Sequence, residues 1–340
     1  MTSVNLKFYS IILAERQPTL DSASFLNLIS TVAILVLLIA TGYICRKARI
    51  IDNTSSKNLS KFIISVGQPM MIISALIGKE FSWERVKSAL MFLILGFILF
   101  PLMALIGLLF SGFYKDKEAK KINLFATTFT NSGFIGFPIL EAIFPGRGAF
   151  NGAFFIMGFH VYMWTLGIFI LSKDRDDIKL TPKKAIINYG TIPCAIAFAL
   201  YFLKAMIPIP SVVIDFTSLL SNLCLPISVI ITGALIATQK PKDILKNPQI
   251  YIFNLIKLIV TPVIVCLIAK FCTLGMADSY ILVIFSTIIA ALPSGATLTM
   301  LCELYDINPA YAAQTVGSSS ILSAFTLPFL CLFADFIAKL

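Results

Sequence analysis

Charged residues are scarce in this sequence. Only 13% of its 340 residues are Asp, Glu, Lys or Arg, whereas 58% are hydrophobic and the mean hydropathy is +0.91. Soluble globular domains contain about 25% charged residues. The composition therefore leaves few residues for a soluble domain and predicts an all-α polytopic membrane protein.

The motifs of the common catalytic and metal sites are also missing. The sequence contains no HExxH, no GxSxG, no GxxxxGK[ST] and no paired aspartates within its apolar runs. Its seven cysteines are scattered and form no CxxC pair. We therefore predict no enzymatic activity, no bound cofactor, no metal site and no ATP-driven step, with H+ or Na+ left as a coupling ion.

Long apolar runs are abundant instead. A membrane-spanning helix needs roughly 20 mostly apolar residues, and runs of this length predict ten spans. The predicted spans are 25–45, 58–78, 87–112, 119–144, 149–172, 183–204, 211–238, 249–271, 279–304 and 308–336. Residues 1–23 are predicted to form an N-terminal tail, without the features of a cleaved signal peptide.

Basic residues indicate the orientation of these spans. Lys and Arg concentrate in the segments after spans 1, 3, 5 and 7, and basic loops face the cytoplasm. We therefore predict a multi-pass protein of the cell membrane with both termini outside. The net charge of +10 is interpreted as this topology signal, so no nucleic-acid partner is expected.

Prolines recur at a similar spacing in the two halves, roughly 160 positions apart. The pairs are Pro69 with Pro226, Pro101 with Pro262, and Pro138 with Pro293. Five spans per half would give the halves opposite orientations, which is typical of secondary transporters. The predicted domains are a first inverted repeat at 24–172, a cytoplasmic loop at 173–182 and a second repeat at 183–340. Chance spacing of common membrane prolines is the alternative.

Spans 4 and 9 are interrupted at "TNSGFIGFPIL" and "ALPSGATLTM". Proline and glycine free backbone groups that lipid cannot satisfy, so such breaks belong inside the protein or at a wet cavity. If the breaks cross, two half-helix N-termini favour an anion. The predicted substrate-binding residues are Asn131, Ser132, Gly133, Gly136, Pro138, Pro293, Ser294, Gly295 and Thr297, with Gln68 and Ser228 from spans 2 and 7. The alternative is that the glycines only allow close packing and the prolines only kink.

Ionisable residues within spans are functional candidates. The coupling candidates are Glu141, His160, Glu303, Gln314 and Ser318. Each has a structural alternative: the two glutamates lie near helix ends, the histidine could be a hydrogen-bonded packing residue, and the hydroxyl-rich start of span 10 could serve helix packing as well as cation binding. Lys257 could pair with a substrate carboxylate, but its long stem favours snorkelling to the interface.

At these residues the sequence resembles the auxin efflux carrier family, which includes bacterial organic-acid permeases and plant PIN-type exporters. The resemblance is carried by "NLSKFIISVGQPMMI", "NSGFIGFPILEAIFPGRGAF", "LCLPISVIITGAL" and "LPSGATLTMLCELYDINPAYAAQTVGSSSILSAFTLP". It implies ten helices in two inverted five-helix repeats with crossed broken helices 4 and 9, as in bile acid symporters. Spans 1, 2, 6 and 7 would form a scaffold, often dimeric, and spans 3–5 and 8–10 a moving transport domain.

The family resemblance also assigns roles to particular residues. Asn131 matches the asparagine of the first crossing, Gly136 and Pro138 match a GxP motif, and Pro293 with Gly295 match the second break. Plant exporters have proline before the asparagine, whereas this sequence has Thr130. The difference favours the bacterial organic-acid branch over auxin specificity and leaves the first crossing to Gly133, Gly136 and Pro138.

These observations predict a secondary transporter of a small organic anion, such as a mono- or dicarboxylate or an auxin-like acid. Its partners would be this substrate, the lipid bilayer and a second copy bound through the scaffold helices. An intramembrane enzyme is disfavoured by the missing catalytic motifs. A transporter-like sensor or partner protein without transport activity is the alternative, because fold alone does not define function.

Overall fold

The computed structural model describes residues 22–144, 147–173, 187–238, 247–276 and 278–340. Within these ranges the regular structure is helical apart from one isolated bridge between two residues. Six of the described helices are long and apolar enough to cross a membrane: Asn53–Ile77, Trp83–Phe113, Phe150–Ser172, Ser211–Ile236, Pro248–Cys272 and Pro309–Lys339. The chain therefore has the architecture of a polytopic helical membrane protein.

The described helices are numbered in chain order. They are α1 Ser22–Lys47, α2 Asn53–Ile77, α3 Trp83–Leu109, α4 Lys117–Thr128, α5 Phe137–Ile143, α6 Gly148–Tyr162 with its continuation Ile168–Ser172, α7 Thr191–Leu203, α8 Ser211–Ile236, α9 Pro248–Cys272, α10 Ser279–Ala291, α11 Thr297–Tyr305 and α12 Pro309–Lys339. The predicted tail at 1–23 and loop at 173–182 lie almost entirely outside the described residues.

Side-chain caps define several helix starts. Asp52 accepts a hydrogen bond from the Ser55 amide at 2.7 Å and begins α2 five residues before the predicted span. This bond, with further bonds to the carboxylate, holds the pKa of Asp52 below its usual value. Asp116 caps α4 through the Ala119 amide in the same way. Such caps satisfy amides that have no partner inside the helix.

Three prolines follow a widened helical turn. The π turns Ile63–Gly67, Ser132–Gly136 and Ile256–Val260 each end two residues before a proline, at positions 69, 138 and 262. In a regular helix a proline removes one backbone hydrogen bond and clashes with the carbonyl four residues earlier. An extra residue in the preceding turn moves that carbonyl, so the chain continues as a helix.

The helices pack in two sets. In the first set α1 packs along α8, and α2 packs against α7 and α8. A Cβ added to Gly42 or Gly233 would overlap the carbonyls of Ile230 and Ile39, respectively, so glycine allows α1 and α8 to touch through their backbones. In the second set α3 packs along α6, and α10 packs against α9 and α12.

Candidate functional site

Two helical segments are interrupted and meet at their interruptions. Helix α4 ends at Thr128, and the chain is extended at Phe129 before helical structure resumes at Ser132. Helix α10 ends at Ala291, and α11 begins at Thr297. Thr130 and Ser294 form an antiparallel bridge between the two interruptions. We call this contact the crossing.

Backbone hydrogen bonds hold the crossing together. The Asn131 amide donates to the Pro293 carbonyl at 2.8 Å, and the Gly295 amide donates to the Phe129 carbonyl at 2.9 Å. Each unsatisfied backbone group inside a membrane costs several kcal/mol. The two interruptions therefore satisfy each other, which neither segment could do alone.

Side chains satisfy other backbone groups at the ends of the broken helices. The Ser294 hydroxyl donates to the Ala126 carbonyl at 3.1 Å, and the Ser294 amide donates to Ser319 Oγ at 3.2 Å. Thr130 and Ser132 share a hydrogen bond of 2.6 Å between their hydroxyls. The side chains of these four hydroxyl residues are buried. The crossing is therefore a polar site enclosed by helices.

The first interruption lies earlier in the chain than the sequence suggested. The family resemblance leaves it to Gly133, Gly136 and Pro138, but helical structure is lost at 129–131, where Phe129 is extended and Asn131 is neither extended nor helical. Gly133 and Gly136 lie in the π turn, and Pro138 lies in the first turn of α5. Bonding to the second interruption requires extended backbone, whereas the glycines and the proline are accommodated by the widened turn that follows. The earlier assignment is therefore wrong by about one turn.

Polar side chains from α2 and α8 reach α11 beside the crossing. Gln68 Nε2 donates to Thr297 Oγ1 at 3.0 Å, while Gln68 Oε1 is buried and has no hydrogen-bond partner in the described part of the chain. Ser228 Oγ lies 3.4 Å from the sulfur of Met300. The structure thus brings Gln68 to the predicted group around Asn131 and Pro293, and Ser228 to the next part of α11.

Lys257 lies at the crossing, which sequence reasoning missed. Its side chain is fully buried, with 0% exposure, and Nζ donates to the Ala290 carbonyl at 2.9 Å and the Thr127 carbonyl at 3.5 Å. The snorkelling interpretation is therefore wrong. Its position in mid-span was the available signal, but a lysine stem can extend toward an interface as easily as toward a neighbouring helix.

Of the coupling candidates on α12, Gln314 is buried and Ser318 is half-buried against α9. Ser318 Oγ accepts a hydrogen bond from Asn254 Nδ2 at 2.9 Å and donates to the Thr315 carbonyl. Gln314 lies one turn earlier on α12 and is 7% exposed. Asn254 Oδ1 is buried, and none of the residues that the structure describes forms a hydrogen bond with it. This polar contact joins α12 to α9, the helix that also carries Lys257.

His160 is a packing residue in this conformation. Its side chain is 0% exposed, and neither ring nitrogen has a hydrogen-bond partner among the described residues. The ring contacts Phe159 edge to face. Phe159 in turn contacts the ring of Phe129 in the first interruption edge to face. Glu141 is partly buried in the last turn of α5.

Glu303 lines a separate polar cavity of about 540 Å³ at the end of α11. The cavity is also lined by Arg46, Asn53 and Lys57 from the region that joins α1 to α2. Lys57 pairs with Asp306 at 3.0 Å across the same region. Glu303 is therefore located at a charged end of the helix set and not among the residues of the crossing.

The part of the chain that the structure describes contains no group of three or more His, Cys, Asp or Glu side chains that could hold a metal ion. The crossing offers backbone amides, carbonyls, hydroxyls, the carboxamides of Asn131 and Gln68 and the ammonium of Lys257. Such groups bind and orient a small polar solute.

A buried polar crossing between apolar helices is typical of a solute-binding membrane protein. The family described as "Membrane transport protein" matches the chain over residues 27–188 and again over 178–331. The chain belongs to this family, the auxin efflux carrier family that its motifs resemble. A comparison with curated proteins found no match. The protein is therefore a multi-pass membrane transporter in general terms, and its family is not enzymatic.

Proposed function

We propose that this protein is a secondary transporter that moves a small organic anion, a mono- or dicarboxylate, across the cell membrane by alternating access. The observation that carries the proposal is the pair of hydrogen bonds by which Asn131 and Gly295 join two broken helices inside a buried polar cluster. Transporters bind substrate where discontinuous helices of two repeats meet near the midplane.

The charge preference follows from the helix ends at the crossing. The π turn that leads into α5 begins at Ser132, and α11 begins at Thr297, so two helix N-termini adjoin the bridge. Helix N-termini carry partial positive charge and exposed amides. They favour an anion, and Asn131, Ser132, Thr297 and Gln68 supply hydrogen-bonding groups for its carboxylate.

The packing supports a division into a fixed and a moving part. Helices α1, α2, α7 and α8 pack mainly on one another and would form the scaffold, whereas α3–α6 and α9–α12 would form the transport domain. In this scheme the two interrupted segments each count as one span, which makes ten spans in two inverted repeats. Both termini face outward, and a second copy binds through the scaffold helices.

Counterflow in proteoliposomes tests the proposal. Purified protein is reconstituted, vesicles are loaded with one unlabelled acid at a time, and uptake of the labelled acid is measured across a panel of mono- and dicarboxylates. We expect counterflow with at least one acid, and at least about tenfold lower counterflow for Asn131→Ala, since a lost hydrogen bond to a charged group costs about 1.5–3 kcal/mol.

The matched control is Asn222→Ala, because the Asn222 side chain is exposed in the middle of α8. Its counterflow should equal that of the unmodified protein. No counterflow with any acid of the panel, or equal counterflow for Asn131→Ala and the unmodified protein, would contradict the proposal.

A further inference from the structure

The two carbonyls that Lys257 contacts belong to the C-terminal ends of two different helices. Ala290 is in the last turn of α10, and Thr127 is in the last turn of α4. Helices α4 and α10 are the first halves of the two broken segments. Lys257 itself lies in the π turn Ile256–Val260 of α9. One ammonium group thus joins both half-helices from a third helix.

Helix C-termini present unpaired carbonyls and carry about half a negative charge each. Two such ends make about one negative charge, which a single ammonium group can balance. Other carbonyls in the same turns have other donors: the Leu292 amide bonds to Ile288, and the Ser294 hydroxyl bonds to Ala126. Lys257 therefore satisfies carbonyls that the interruptions would otherwise leave without a donor.

A buried ammonium is costly unless it is well compensated. No carboxylate forms an ion pair with Lys257 within the described ranges. The carboxylates of Asp306 and Asp335 pair with other lysines, Lys57 and Lys339. Its compensation comes from carbonyl oxygens. Neutral oxygen ligands at the ends of broken helices are also what a bound Na+ ion uses in transporters.

Two further buried oxygens lie on α9 near Lys257. Asn254 Oδ1 is about one turn before it and Thr261 Oγ1 about one turn after it, and neither has a hydrogen-bond partner within the described ranges. Asn254 is 5% exposed and Thr261 is 0% exposed. Unsatisfied buried oxygens require an explanation. Two side-chain oxygens without a partner among the described residues thus lie within about one turn of Lys257, one on each side of it along α9.

We propose that Lys257 is a tethered cation: its ammonium occupies the position at the crossing that a coupling cation would otherwise fill, so that the transport cycle runs without bound Na+. This inference rests on the proposed function for its transport consequence. The part that concerns ion binding depends only on the geometry of the crossing. Removing the ammonium while leaving space should convert the position into a site for a small monovalent cation.

The experiment measures thermal unfolding of the purified protein in detergent, in NaCl and in choline chloride at equal ionic strength. The unmodified protein should unfold at the same temperature in both salts. Lys257→Ala leaves space and unpaired carbonyls, so it should unfold at a lower temperature in choline and recover by at least about 5 °C in Na+, because a ligand that binds only the folded state stabilises it. Lys257→Met fills the space without charge and should show no recovery.

Lys270→Ala is the matched control. Lys270 lies on the same helix and its Nζ donates to the Ala338 carbonyl near the C-terminus of α12 at 3.1 Å, but outside the crossing. It should give the same unfolding temperature in both salts. Stabilisation of the unmodified protein by Na+, or equal unfolding temperatures of Lys257→Ala in Na+ and choline, would overturn the inference.

A second measurement covers the case in which the Lys257 variants do not fold. Counterflow by the unmodified protein should proceed at the same rate in Na+-free and Na+-containing vesicles, and a requirement for Na+ would overturn the inference. The two proposals fail differently. Absence of counterflow with every acid contradicts the proposed function, whereas the salt dependence of unfolding is decided without any substrate.

Discussion

The two interruptions at the crossing differ in what their side chains contact. In the first, the hydroxyls of Thr130 and Ser132 bond to each other. In the second, the Ser294 hydroxyl donates to the Ala126 carbonyl of α4, and the Ser294 amide donates to Ser319 Oγ of α12. The hydroxyls of the first interruption thus bond to each other, whereas the second interruption also bonds to α4 and α12.

The helix after the second interruption continues this pattern. Thr297 of α11 accepts a bond from Gln68 of α2, and Thr299 shares a bond of 3.0 Å with Thr232 of α8. These bonds join the proposed transport domain to the proposed scaffold. The comparison teaches that the second interruption is the more constrained one, so substitutions there should be more damaging than matched substitutions in the first.

The largest difference is expected between two glycines. A Cβ added to Gly295 would lie 3.3 Å from the carbonyl oxygens of Phe129 and Thr130, which are fixed by the bridge. A Cβ added to Gly133 would meet the ends of the Ile156 and Met71 side chains, which can move. Gly295→Ala should therefore lower the free energy of unfolding by about 1–3 kcal/mol, and Gly133→Ala by less than half of that.

Thermal unfolding of both glycine variants in detergent checks this difference. The control is Gly112→Ala, since a Cβ at Gly112 would meet nothing within 4 Å. An equal loss for Gly295→Ala and Gly133→Ala would show that the two interruptions are equally constrained.

A smaller effect is expected from the hydroxyls. Ser294→Ala removes the donor of the Ala126 carbonyl, which should cost about 1 kcal/mol of unfolding free energy or more. The double variant Thr130→Val with Ser132→Ala removes both partners of one hydrogen bond, which can be nearly neutral. Chemical or thermal unfolding of the two variants measures the contrast. A double variant that is less stable than Ser294→Ala would reverse the comparison.

The smallest change in stability is expected for Gln68→Leu. This substitution breaks the bond to Thr297 but also removes the unsatisfied Oε1, so the two effects on unfolding should cancel to within about 1 kcal/mol. Counterflow should nevertheless fall, because Gln68 is a proposed substrate ligand. Thr232→Val, which breaks the other bond to α11, is the control and should leave counterflow unchanged. Equal counterflow for both variants would remove Gln68 from the site.

Much of the site could be predicted from residue types. Pro293 and Gly295 in an apolar run indicated the second interruption where the structure has it, and Asn131 was expected to lie beside it. The exact location of the first interruption could not be predicted, because Phe129 and Thr130 have no helix-breaking chemistry of their own. They are extended because they pair with the second interruption, which is about 165 residues away in the sequence.

The sequence by itself determined that the chain is a helical membrane protein with two broken segments, since apolarity, proline and glycine act locally on the backbone and on its partition into lipid. Only the tertiary structure decided which backbone groups pair at the crossing and where the ammonium of Lys257 lies. The physical reason is the length of the lysine side chain, which spans about 6 Å, so its ammonium can end at the interface or in the interior. The unsatisfied carbonyls of two neighbouring helices favour the interior.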